Sequence, residues 1–251
     1  MISYLITACN EYEELKTLLS HLKDNIRDED EIVLLLDDEK VTSQVADLAW
    51  NLDEKGYVSN VIQFPLQKDF ATFKNIGNAH CAHEWIFQID ADEIPSAILL
   101  EMLPDILEQN ENVDLIYVPR INVVEGITEE HINQWGWRIS KNELVRNFDK
   151  FKPDSEELRY LRQLDFVISE ADSYGGEIGV VFYSPIINFP DFQSRLYRNK
   201  THIKWEGRVH EVITGMKSYA AFPLEFPYCL MHKKTIDRQE KQNQLYSQIN
   251  R

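Results

Sequence analysis

The sequence is short of everything that marks a secreted, membrane-spanning or nucleic-acid-binding chain. Its 251 residues hold three cysteines, Cys9, Cys81 and Cys229, with no Cys-x-x-Cys spacing and no even framework. That usage excludes a disulfide scaffold and makes a reducing, cytoplasmic setting the expectation. No apolar run approaches the ~20 residues a membrane span needs. The opening MISYLITACNEYEE lacks a basic segment followed by a long apolar core, so it does not read as a signal peptide. Positive charge is scarce. With 26 Lys and Arg against 42 Asp and Glu, the formal net charge is −16, which makes nucleic acid and anionic lipid poor partners. Small anionic ligands stay possible, because a bound divalent cation reverses the local sign. A hydrophobic content of 43% is that of a folded protein with a sizeable core.

Apolar runs and helical periodicities alternate in the first half. Runs Ile2–Ala8, Glu31–Leu36, Val58–Phe64, the stretch 84–95 and Asp114–Val123 read as strands. Between them, Leu15, Leu18, Leu19 and Leu22 repeat at helical spacing, as do Val45, Leu48, Ala49 and Leu52. Asn10 and Glu13 suggest a capping box for the first helix, and Asp69 a cap for the third. Leu99, Leu100, Leu103, Ile106 and Leu107 mark a fourth helix, which Pro104 is expected to kink or split. Strand starts recur at about thirty residues, the length of a βαβ crossover, so the fold class is α/β with a mostly parallel sheet. In such sheets ligands bind beyond the carboxyl ends of the strands. The regular alternation is lost after residue 123. Residues 1–123 therefore read as a regular α/β half, and 124–251 as a mixed α+β extension of the same domain, ending in a polar helix.

The fourth strand, in "EWIFQIDADEIP", ends in Asp90, Asp92 and Glu93. On an extended chain, residues two apart point to the same side with Cα atoms about 6.6 Å apart. Two carboxylates aimed into one crevice raise each other's pKa unless a positive charge lies between them, and Mg²⁺ or Mn²⁺ supplies one. Taken alone, Asp-x-Asp matches many acidic loops. Its place at the tip of an apolar strand, fourth in a βαβ series, gives it weight.

"DFATFKNIGNAHCAHEWIFQIDADE" resembles the donor-site segment of family-two glycosyltransferases of the GT-A fold. "YLITACNEYEEL" is similar to that family's first strand and nucleotide-contacting turn, and "IVLLLDDEKVTS" to its second strand. "SRLYRNKTHIKWEGRVHE" and "LMHKKTIDRQEKQNQLY" resemble later segments of a bacterial and phage-associated branch. The resemblance implies a metal-dependent, inverting transfer of sugar from a nucleoside-diphosphate sugar, a UDP-sugar foremost, to a hydroxyl of a glycan, lipid-linked or protein acceptor. It implies Thr7, Ala8, Glu11, Asp38, Lys74, Asn75 and Asp90 around the donor. It also implies Asp90, Asp92 and His232 around Mn²⁺ or Mg²⁺, and Glu211 as general base. Asp191 is the reserve base and His210 the rival metal ligand. Arg195 and Arg198 are candidates for phosphate or acceptor contact. Trp135 and Trp137, in the irregular region, are acceptor-wall candidates, because aromatic faces stack on sugar rings. His80, His83 and Trp85 read as packing or surface residues. Two departures stand out: Lys74 replaces the family's more usual Arg, and "DDEKVTS" lacks the Gly-Ser turn. A sugar-phosphate nucleotidyltransferase would place a Gly-rich loop where "TACNEYEE" has no glycine. A non-catalytic binding protein on the same fold is the alternative from a different class.

Overall fold

The computed structural model describes residues 1–140, 167–172, 178–182 and 186–249. The first half runs β1 (Ile2–Ala8), α1 (Tyr12–Asn25), β2 (Glu31–Asp37), α2 (Ser43–Glu54), β3 (Asn60–Phe64), α3 (Phe70–Asn78) and β4 (Trp85–Asp90). Then follow β5 (Glu93–Pro95), α4 (Ala97–Gln109), β6 (Leu115–Glu125) and α5 (Glu129–Trp135). A hairpin of β7 (Val167–Asp172) and β8 (Ile178–Phe182) precedes the long β9 (Ile186–Arg198). The chain ends with β10 (Lys204–Glu206), β11 (Val212–Thr214), β12 (Tyr219–Ala221), β13 (Leu230–Thr235) and α6 (Ile236–Ile249).

One nine-stranded sheet organises the described residues, in the order β3-β2-β1-β4-β9-β6-β13-β5, with β12 also on β6. β3, β2, β1 and β4 are parallel to one another. β9 enters antiparallel between β4 and β6, so the second half supplies a central strand and not an appendage.

The parallel strands are near-continuous apolar runs because both faces are covered. Alternate residues serve two separate cores. Tyr4, Ile6, Leu34 and Leu36 pack with α1, α2 and α4 on one face. Leu5, Val33 and Leu35 pack with Ala71 and Phe73 of α3, and with Tyr197 and Trp205, on the other. Truncating one such leucine to alanine typically costs about 2–5 kcal/mol.

Local signals were honoured in some places and overridden in others. Asp69 caps α3 by accepting from the Thr72 amide at 3.0 Å. The first helix departs from the expected capping box: Glu11 is its N-cap, and the Glu11 carboxylate accepts from the Cys9 and Asn10 amides. α4 runs through Pro104 as one helix, with Leu99, Leu100, Leu103 and Leu107 buried, so packing outweighs the missing hydrogen bond. Residues Ser194–Tyr197 belong to the 13-residue β9. Most of the charged stretch 138–162, and Gly175–Gly176, lie outside the described residues.

α3 lies against the sheet through Gly77, where an added Cβ would stand 2.7 Å from Leu5 Cδ1 and 3.1 Å from Leu35 Cδ2. Gly77→Ala is expected to destabilise the protein by about 1–3 kcal/mol through overpacking, read as a lowered denaturation midpoint with an unchanged m-value. A midpoint equal to wild type would show that α3 has slack at this contact.

Candidate active site

The strand register sets the geometry. Thr7 on β1 is level with Asp90 on β4, and the Thr7 hydroxyl donates to Asp90 Oδ1 at 2.8 Å. His232 on β13 lies between Asn122 on β6 and Glu93 on β5. Arg195 comes in on β9, next to β4. These ends open into a cavity of about 1130 Å³ lined by the β1–α1 turn, the β4 tip, α3, β9, the loop carrying His210 and Glu211, and the first three turns of α6.

The acids at the β4 tip do not share one partner. β4 stops at Asp90 and the chain turns, so the extended two-residue spacing does not hold. Asp90 Oδ2 pairs with Arg195 Nη2 at 2.6 Å, and Lys74 Nζ is 3.8 Å from Oδ1. Burial pushes the Asp90 carboxyl up, but Arg195 and Lys74 together outweigh it and hold it well below its ordinary value. Glu93, fully buried, takes Arg195 and Arg120 at 2.6 and 2.7 Å and accepts the Asp90 amide. Asp92 faces a different set: His232 Nε2 at 3.3 Å, Arg238 at 3.5 Å and Lys234 at 3.6 Å. Burial opposes its ionisation, and Lys234, with Arg238, more than reverses that.

The expected Asp90–Asp92–His232 metal trio is therefore corrected. Among the described residues no group of three or more His, Cys, Asp or Glu side chains is placed to hold a metal. Asp90 is committed to protein cations and does not fit as a ligand. Asp92 and His232 face each other at 3.3 Å, with Lys234 and Arg238 also beside Asp92. Asn122 Nδ2 donates to Asp191 at 2.8 Å, so its carbonyl oxygen must face His232 Nδ1, 2.6 Å away. Burial, with Lys234 beside it, holds the imidazolium below its usual range. The neutral ring then carries its proton on Nδ1, leaving the Nε2 lone pair aimed at the Asp92 carboxylate. Two lone pairs meeting in a cavity, with the tautomer fixed from behind, is the arrangement of a metal-ligating histidine.

Glu211 lies on the opposite side and takes Lys74 Nζ at 2.6 Å. One ammonium thus stands between Glu211 and Asp90. Asp191 is held by Arg120, Asn122 and Gln193, which makes it a support of the His232 side. His210 lines the cavity against Tyr246, with ring centroids 5.4 Å apart, while His232 is the histidine at Asp92. Thr7, Ala8 and Glu11 line the cavity. Asp38 is exposed outside it, and its neighbour Asp37 is the lining residue, accepting from the Glu39 and Leu66 amides. Asn75 is turned away and clamps the Trp205 backbone at 2.9 Å through both its amide nitrogen and its carbonyl. Arg198 is at the far end of the strand, bonded to Glu84 and the Glu111 carbonyl and stacked on Trp85, and does not reach the site. Trp137 lines the cavity and Trp135 packs behind it, with ring centroids 4.8 Å apart.

The profile of glycosyl transferase family 2 matches residues 3–166, more than half of the chain. The chain belongs to this family. Its fold is that of S. aureus TarS 1-349, with a TM-score of 0.50 at 10% identity over 99% of this chain and 64% of that one. The same protein in complex with UDP-GlcNAc gives a TM-score of 0.52 at 11% identity over 93% and 58%. The chain thus spans somewhat under two thirds of the solved relative. No curated protein matches it.

This family-2 glycosyltransferase also holds site residues that the sequence reading passed over: Glu93, Arg120, Asn122, Lys234 and Arg238. Lys234 is still on β13 and Arg238 is on α6, so no single periodicity in the sequence joined the two.

Asp90 and Asp92 ionise more readily in the folded protein than in the unfolded chain. In acid the unfolded chain therefore binds more protons, and stability falls as pH drops below about 4, the unfolded aspartate value. Their contribution is fully present above that pH. Asp92→Asn is expected to flatten this acid limb in denaturation midpoints measured from pH 7 to pH 2. An unchanged limb would contradict the assigned ion pairing.

Proposed function

We propose that this chain moves a sugar from a nucleoside-diphosphate sugar to an acceptor hydroxyl with inversion at the anomeric carbon. A UDP-sugar is the leading donor, supported by the likeness to TarS, solved with UDP-GlcNAc. The observation that carries the mechanism is Lys74, an ammonium 2.6 Å from Glu211 and 3.8 Å from Asp90. It links an acid fit to be a base with the acid beside the first strand's nucleotide turn.

Glu211 accepts the acceptor's hydroxyl proton as the oxygen's electron pair attacks the anomeric carbon. The bond from that carbon to the diphosphate oxygen breaks, and the leaving group departs with the bonding pair. Lys74 orients Glu211 through their 2.6 Å ion pair. Thr7 and Gln88, which donate to Asp90 Oδ1 at 2.8 and 3.0 Å, fix Asp90 for a ribose hydroxyl. Asp92 and His232 would hold Mn²⁺ or Mg²⁺, which supplies Lewis-acid stabilisation of the leaving diphosphate. Trp137 offers an aromatic wall to the acceptor.

Glu211→Gln is expected to lower kcat for transfer by roughly 10²–10⁴-fold while nucleotide binding persists. The assay is product formation from a panel of UDP- and GDP-sugars with sugar acceptors, plus calorimetry with UDP. Undiminished turnover would remove Glu211 as the base. Nucleotide binding with no turnover by wild type on any pair would favour a binding protein.

A further inference from the structure

Trp205, in the hairpin that carries Glu211, meets a charge with the face of its ring. β10 and β11 pair so that Trp205 is level with Ile213 and Glu206 with Val212. Glu211 directly precedes β11, after a turn in which Gly207 and His210 take φ of 102° and 54°. α3 grips this hairpin with adjacent residues. Asn75 clamps the Trp205 backbone, and the Lys74 ammonium lies over the Trp205 ring, 4.6 Å from its centroid. The same ammonium bonds Glu211 at 2.6 Å. At the start of α3 the Phe70 amide donates to the Arg208 carbonyl at 3.0 Å.

The ring is held in turn. Its Nε1–H donates to the Tyr197 hydroxyl at 2.9 Å, and that hydroxyl donates to Asn78 Oδ1 at 2.8 Å. The Tyr197 and Trp205 rings meet edge to face, with centroids 5.7 Å apart and planes at 88°. Trp205 is 3% exposed and the Lys74 side chain 5%. The face of an indole is negative and attracts an ammonium, most strongly where water is excluded. The ring therefore gives Lys74 a fixed seat, and the ion pair sets Glu211 relative to that seat.

We propose that Trp205 is a positioning residue for the transfer: its ring seats Lys74, and through Lys74 it sets where the Glu211 carboxylate meets the acceptor hydroxyl. This inference rests on Glu211 as the base, as read above. It adds that α3 and the β10–β11 hairpin act as one unit, joined through an aromatic face behind the ion pair. A small displacement of the carboxylate spoils the geometry of attack, so the loss falls on kcat and not on donor affinity.

The test is a double-mutant cycle. With the best UDP- or GDP-sugar, kcat and donor KM are measured for wild type, Trp205→Phe and Trp205→Leu, each alone and combined with Lys74→Met. Calorimetry gives the dissociation constant of the matching nucleoside diphosphate, and thermal unfolding confirms that each variant is folded. Trp205→Phe, which keeps a weaker aromatic face, is expected to lower kcat about threefold, and Trp205→Leu, which has none, roughly 10- to 30-fold, the value of one buried cation–π contact. Nucleotide affinity stays within about threefold, because the donor is held elsewhere. In the Lys74→Met background the same Trp205 changes are expected to alter kcat by less than about twofold, since the ring has no cation left to seat. A merely structural Trp205 would lower kcat equally in both backgrounds, or weaken nucleotide binding together with kcat. Either result, or undiminished kcat in Trp205→Leu, overturns the assignment and leaves Glu211 as the base. Undiminished turnover in Glu211→Gln, or no turnover by wild type on any donor, overturns the base reading and this inference together. Should Trp205→Leu fail to fold, Trp205→Phe carries the test in both backgrounds, and equal losses there overturn the assignment.

Discussion

The structure depends on how one cluster of acids is neutralised. Asp90, Asp92 and Glu93 crowd the tip of β4, and left to themselves they would repel and protonate. Every cation that prevents this comes from elsewhere: Lys74 from α3, Arg120 from β6, Arg195 from β9, Lys234 from β13 and Arg238 from α6. The site is therefore a meeting of both halves of the chain. Breaking a buried pair leaves an uncompensated charge at a typical cost of about 3–5 kcal/mol, so Arg195 and Glu93 tie the stability of the fold to the geometry of the site.

The sheet makes this possible. β9 sits antiparallel between β4 and β6, which delivers Arg195 to Asp90 and Asp191 to Arg120. β13 runs parallel to β6 and antiparallel to β5, which sets His232 between Asn122 and Glu93. The Asp191–Asn122–His232–Asp92 chain follows from that register. It orients an imidazole nitrogen toward a carboxylate without any residue of the β1–α1 turn.

The first four strands were legible because strands buried on both faces leave long apolar runs, and the helices between them keep a leucine period. Asp90, Asp92, Lys74, Glu211 and His232, which line one cavity, were named through a family resemblance carried by short motifs. What stayed hidden was pairing. Nothing local in "SRLYR" says that Arg195 faces Asp90 while Arg198, three residues on, points to Glu84. The choice depends on β9 lying between β4 and β6, a long-range fact. Asp37 and Asp38 both end the same apolar run, and only the turn decides which carboxylate is drawn in to the Leu66 amide. The shared-metal expectation assumed an extended Asp-Ala-Asp segment, whereas the strand ends at its first acid.

The central proposal is a division of labour: Asp90 is held by Arg195 and Lys74, and Asp92 with His232 is the pair proposed to take a dication. The most direct measurement is anomalous diffraction at the manganese edge from crystals grown with Mn²⁺ and UDP. The account predicts manganese on Asp92 and His232, with Arg195 still bonded to Asp90. Manganese bridging Asp90 and Asp92 with Arg195 displaced, or bound away from both acids, would contradict it.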